Sequence, residues 1–306
     1  VTTPVLHQDG ADPPDAAVAR GEAAFRAARA RRRRATLLGL ALLAACLLAS
    51  AWMSEVHPAT LAEGLPRVGD YFHRILPTLR WPVLLAGSET EGSLASWFYR
   101  LDSWAWLLFE TANMAALATL LGAGAGLLLA LPAARNLGAG TLAMQLARRG
   151  LEAMRTVPEI VFALILVWAF GVGPLAGILA IALHTAGALG KLFAEAIENA
   201  AMGPWEGVRA AGGSWAQGCR FAILPQVLPN LLSYALLRFE INLRSASVIG
   251  FVGGGGIGEE LYTVIAQNYY EEISAIVVLI LLAVAAIDLL SERLRHRVIG
   301  AVGGAA

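Results

Sequence analysis

Two residues of opposite charge, Glu240 and Arg244, lie four apart within an apolar run reaching from about Pro229 to Phe251. On a helix they share a face and can pair. A charge inside a membrane-length run is expensive, about 2.5–3.5 kcal/mol for a central Arg, Lys or Asp, and marks a pathway by default. The planar guanidinium fork suits an oxyanion, so Arg244 could take an anionic solute while Glu240 holds the fork in place. Read structurally, the same pair is a clasp between helices that touches no solute. Asn242 points elsewhere, about 160° round the helix from Arg244. His184, in an earlier apolar run, could line a path or simply satisfy a neighbouring carbonyl. Lys191, seven residues on, nearly aligns with it and reaches the membrane interface by snorkelling. Arg244, Glu240, Asn242 and His184 are the candidate path residues.

Gly253, Gly254, Gly255 and Gly256 form a second feature. Four successive glycines cannot continue a stable helix, each costing about 1 kcal/mol relative to alanine. They predict either a flexible breaker acting as an outer gate or a tight external turn. They are no phosphate-binding loop, since no Lys-Ser or Lys-Thr follows. No G-x-x-x-x-G-K-[ST] occurs anywhere, so the chain has no ATPase site of its own. H-E-x-x-H, G-x-S-x-G and paired catalytic carboxylates are equally absent, which argues against an intramembrane enzyme. The five histidines are scattered. Cys46 and Cys219 lie too far apart for a zinc or redox motif.

The elements that must carry these residues follow from composition. The 306 residues are 57% apolar and 15% charged, with a mean hydropathy of +0.62. A soluble domain is about 45–50% apolar and about 25% charged. The chain is therefore an all-α, polytopic membrane protein, helices being the spans that satisfy their own backbone in lipid. Zero net charge gives no reason to expect a nucleic-acid partner. Six spans are expected, at about 36–52, 104–131, 158–170, 175–193, 229–251 and 273–290. Arginine clusters at 31–34, 135–155, 209–220 and 293–297 fall on one side if both termini are cytoplasmic, the side that cationic loops favour.

This divides the chain into a cytoplasmic tail over 1–35 and a first span with an external interfacial segment over 36–103. A transmembrane domain follows over 104–291, then a cytoplasmic tail over 292–306. The 1–35 tail is expected to be disordered, with room for a short helix from about Ala16 to Arg34. Trp81, Trp97, Phe98, Tyr99, Trp104 and Trp106 suggest helices in the headgroup region, or a Trp belt at the start of the second span. Leu43-Ala44-Ala45-Cys46 looks like a lipoprotein cleavage box, but it lies too far from the N-terminus for a signal peptide of about 15–30 residues.

Between the fourth and fifth runs, residues 199–225 form a cytoplasmic loop with a readable construction. A short helix from about Pro204 to Ala211 carries Glu206 in its first turn, favoured by the helix dipole. Gly212 and Gly213 end it, another turn follows, and Leu224-Pro225 opens the fifth run. With Gln217, the spacing of Glu206, Gly212, Leu224 and Pro225 resembles the coupling loop of ABC importer permeases, E-A-A-x3-G-x9-I-x-L-P. Gly207 and Val208 replace the two alanines, and Ile223 sits one place late. Further stretches resemble the phosphonate and phosphite permeases. They are Ala133-Ala134-Arg135-Asn136, Arg155-Thr-Val-Pro158-Glu159, Leu183 to Glu195, Phe239 to Arg244, and Val252 to Gly258.

The resemblance implies a type I ABC importer permease fold in the bacterial inner membrane. It implies a homodimer, cytoplasmic ABC ATPase subunits carrying ATP and Mg, and a periplasmic solute-binding protein; as a path residue, Arg244 is expected to face the dimer axis. Passage of phosphonate or phosphite would follow by alternating access. An ABC permease for another small solute, and a secondary transporter, are the alternatives. The latter predicts an inverted repeat that the sequence does not show.

Overall fold

Helix α1 runs unbroken from Pro14 to Met53. The polar segment before Thr36 and the first apolar run are thus one helix from Pro14 onward. This computed structural model describes residues 14–303, and side chains over 22–295. The disorder expected of residues 1–13 lies outside the described residues, as does the side chain of Arg297. The chain divides into two compact units after Tyr71. Helix α2, Pro58–Ile75, sets Leu61, Leu65, Val68 and Phe72 along one side. Their spacing of four, three and four is an apolar stripe. Glu63, Arg67, Asp70 and Arg74 occupy the remainder, a pattern that suits a helix lying in an interface.

The second unit contains α3 (Leu94–Trp97), α4 (Leu101–Ala133), α5 (Thr141–Thr156), α6 (Glu159–Phe170) and α7 (Pro174–Glu198). It continues with α8 (Gly203–Ala210), α9 (Trp215–Gly218), α10 (Leu224–Ile249), α11 (Ile257–Ala266) and α12 (Tyr270–Gly303). Three buried clusters stack along the bundle. One, at the end that carries Arg135 and Arg148, gathers Leu137, Leu151, Phe193, Ile197, Trp205 and Ile223. A middle cluster holds Ala118, Ile181, Leu243 and Ile249. The third, at the aromatic end, is built on Trp104, Ile257, Val264 and Ile276.

Helices α4 and α7 approach backbone to backbone. A Cβ added at Gly126 would lie 3.0 Å from the Ala186 carbonyl oxygen and the Gly190 nitrogen. Small residues at such crossings are how membrane helices gain contact without a hydrophobic drive between them. The α5–α6 break falls at Val157-Pro158, where proline disfavours a helical predecessor, and the two helices bend by 89°.

Four helices among the described residues are long and apolar enough to cross a bilayer: Glu22–Met53 within α1, α4, α7 and α12. The bent pair α5–α6 makes a fifth. The expected third span corresponds to α6, which has 12 residues, about 18 Å at 1.5 Å per residue. A hydrocarbon core needs about 30 Å, so α6 cannot cross alone. The expected fifth span is α10, which is 26 residues long and carries Arg238, Glu240 and Arg244 along its length.

The aromatics around the start of α4 divide in a way that neither expectation covered. Trp104 is fully buried. Trp97 donates Nε1–H to the Glu271 carbonyl and to Ser274 Oγ, both at 3.1 Å. Tyr99 donates its hydroxyl to Glu272 at 2.6 Å, and that bond, ahead of burial, holds the phenol above its ordinary pKa. Arg100 pairs with Glu260 at 2.7 Å. These aromatics pin the start of α4 to α11 and α12, whereas Trp81 and Trp106 are exposed.

Candidate translocation path and coupling unit

The expected Glu240–Arg244 clasp is not formed. Arg244 Nη2 donates to both Asp288 oxygens, at 3.2 and 3.3 Å, and Glu240 faces Arg295 at 3.3 Å. The reason is the neighbour. Helix α12 packs along α10 and presents Asp288 and Arg295, seven apart, beside Arg244 and Glu240, four apart and opposite in sign. Two inter-helix pairs replace one intrahelical pair. Glu240 is buried, and its Oε1 makes no aligned hydrogen bond despite the ion pair. Arg244 and Asp288 stay open, their side chains 52% and 40% exposed.

Depth can be read along the helices. Asp288 lies 18 residues from the start of α12 at Tyr270, about 27 Å at 1.5 Å per residue. Thr119, which contacts Asn242 two residues from Arg244, lies 18 residues from the start of α4 at Leu101. Both measures put the Arg244–Asp288 pair near the middle of the bundle.

Asn242 is fully buried and faces away from Arg244. Its amide donates to Thr119 Oγ1 at 2.8 Å and to Thr185 Oγ1 at 3.0 Å. It therefore ties α10 to α4 and α7 and lines no open space in this chain. His184 Nδ1 sits 3.1 Å from the Val157 carbonyl oxygen, so it satisfies the break between α5 and α6. Sequence reasoning missed Arg238. It donates Nε–H to Thr185 Oγ1 at 3.3 Å and faces Glu159 at 3.8 Å, while Ser245 donates to the other Glu159 oxygen. Asp288 and Arg295 were missed as well. The available signal was that the last two apolar runs carry charges of opposite sign.

Gly253 to Gly256 form a packed turn, not a loose breaker. Gly254, Gly255 and Gly256 are buried. Gly253, Gly255 and Gly256 have φ of +86°, +81° and +73°, a region that side chains rarely adopt. The Gly253 carbonyl accepts from Gly173 N–H at 2.9 Å, and Thr111 Oγ1 accepts from Ile257 N–H at 2.9 Å. Thr111 lies 10 residues into α4, about 15 Å below its aromatic end. The turn therefore sits inside the bundle, roughly 12 Å above the level of Arg244.

At the arginine end the 199–225 loop folds as a compact unit. Helix α8 carries Glu206 in its first turn, exposed. It stops before Gly212, whose φ is +82°. Ser214 and Gln217 then form a reciprocal capping box on α9, a device that satisfies two helix-end donors together. A π-helical turn over Cys219–Ile223 runs into α10 at Leu224, with Pro225 in its first turn. Trp205 is buried against Gly218, and Trp215 donates Nε1–H to the Leu137 carbonyl at 3.0 Å. Gln226 bonds both the N–H and the carbonyl of Ala201 at 3.1 Å. The unit thus has a fixed inner face and leaves Glu206, Gly212 and Gln217 outward.

Residues 122–301 match the family described as binding-protein-dependent transport system inner membrane component. A phosphite transport system permease protein of Stutzerimonas stutzeri is 37% identical over 249 residues, 81% of this chain and 84% of that one. A phosphate-import permease protein of Mycolicibacterium smegmatis is 36% identical over 250 residues, 81% of this chain and 43% of that one. Among solved structures, the inward-facing MetNI methionine ABC transporter superposes with a TM-score of 0.56 at 20% identity, covering 66% of this chain and 98% of that one. A bacterial alginate ABC transporter gives 0.53 at 15% identity, covering 84% and 94%.

Proposed function

Because the chain belongs to the binding-protein-dependent inner membrane components, we propose that it is the permease through which an ATP-driven importer passes phosphite or a phosphonate. The α8–α9 unit carries this reading. It is a short, capped, internally packed projection whose outward residues, Glu206, Gly212 and Gln217, meet nothing else among the described residues except through their own turn. Such a unit suits docking on a soluble ATPase subunit that binds ATP and Mg and transmits its closure. The chain itself has no nucleotide-binding loop.

Orientation follows from charge. Arg135, Arg148, Arg149, Arg155, Arg209 and Arg220 gather at the end that holds this unit, and cationic loops favour the cytoplasmic side. Six spans with both termini cytoplasmic satisfy this if α5–α6 and α10 each count as a crossing. The path would be completed by a second copy of the chain. An ion pair half-exposed at mid-depth is costly against lipid, and a pathway between two permeases gives it water and polar company. Glycines 253–256 would close that path on the outer side, where a solute-binding protein delivers cargo. The relatives named for phosphite, and an open arginine at mid-depth, favour a phosphorus oxyanion as that cargo.

The experiment is ATP-driven uptake of phosphite into proteoliposomes holding the permease with an ABC ATPase subunit and a phosphite-binding protein. Replacing Glu206 with Arg should abolish co-purification of the ATPase subunit and uptake together, with thermal stability unchanged. Undiminished ATP-driven uptake by that variant would remove the docking assignment.

A further inference from the structure

Three arginines pair with carboxylates along α10 and α12, and only one of them is open. Arg238 is largely buried between Thr185 and Glu159, and Arg295 is largely buried beside Glu240. Arg244 is more than half exposed and meets Asp288 through one nitrogen, since both contacts come from Nη2. Its Nε and Nη1 have no hydrogen-bond partner among the described residues. A guanidinium offers two two-point edges, Nε–Nη2 and Nη1–Nη2, and both use the nitrogen that Asp288 holds, so an anion can take either edge only in competition with Asp288.

We propose that Asp288 is the resident counter-ion of Arg244 and gives way to the travelling oxyanion. The inference rests on the reading of Arg244 as a path residue. An uncompensated cation at mid-depth is expensive in the empty protein, and Asp288 removes that cost. A phosphite or phosphonate oxygen pair that grips either edge must share Nη2 with the carboxylate or displace it. Two anions then crowd one cation, so the carboxylate weakens its hold on Arg244 and repels the solute. A transported solute has to be held weakly enough to leave, and this repulsion supplies that weakness. Asp288 on this account sets how loosely the permease grips its cargo.

The test measures binding of radiolabelled phosphite to the permease–ATPase complex in detergent without binding protein, and uptake by the full system in proteoliposomes. Asp288→Asn should bind phosphite on the order of tenfold more tightly, because a neighbouring negative charge is gone, while uptake falls by a similar factor. Should that variant fail to assemble, Asp288→Ser carries the same expectation. Arg244→Gln should show no binding. The exchanged pair R244D/D288R keeps the ion pair and should still neither bind nor transport. If Arg244→Gln loses binding but Asp288→Asn binds as the wild type does, the counter-ion inference is overturned and the Arg244 reading stands. If Arg244→Gln or the exchanged pair binds as the wild type does, Arg244 is only a clasp and both fall.

Discussion

At the scale of single residues, the structure separates two kinds of polar group within the apolar helices. Asn242 is fully enclosed, with both amide hydrogens directed at threonine hydroxyls on α4 and α7. Its contribution is to hold three helices in register. Replacing it with Leu removes these bonds and leaves Thr185 without its asparagine partner. The expected loss is about 1–2 kcal/mol, read as a lower midpoint of thermal unfolding in detergent with phosphite binding unchanged. A variant of normal stability and altered binding would instead return Asn242 to the path. Arg244 is the opposite case, accessible and only half engaged.

At the scale of elements, the coupling unit depends on Trp205. Its ring lies so close over Gly218 that a Cβ there would meet it at 2.5 Å, which locks α8 onto α9. Trp205→Ala should cost about 3–5 kcal/mol locally. ATP hydrolysis should then persist while uptake falls at least tenfold, measured as the ratio of phosphite transported to ATP hydrolysed. A wild-type ratio would show that the unit needs no fixed inner face.

This element was legible in the sequence because its rules are local. Glycine ends α8 and proline opens α10, whereas the Ser214–Gln217 cap of α9 emerged only with the structure. The helical runs were legible for the same reason, since apolar length is read one segment at a time. Partners were not legible. Glu240 and Arg244 satisfied the four-residue rule, yet each found a better-placed group on α12, a helix 44 and 55 residues further on. The depth of the glycine turn was hidden too. It depends on where α10 stops relative to α4, which no local pattern records.

At the scale of the whole molecule, orientation is open to a direct check. Gly212→Cys should react with a membrane-impermeant maleimide in inside-out vesicles at pH 7.5 and stay unmodified in intact spheroplasts. The native Cys219 should not interfere. Burial pushes its thiol up to about 11, and a raised pKa leaves little of the reactive thiolate at that pH. Labelling only in spheroplasts would invert the topology. One property of the bundle bears on how it moves. Where α4 and α7 cross at Gly126 and Gly190, main chain rests on main chain, with no flexible side chains between to absorb sliding or tilting. The two helices make a strut of fixed length and angle. Any rocking that exposes the path to one side and then the other must hinge at softer seams, such as the side-chain contact of α10 with α12.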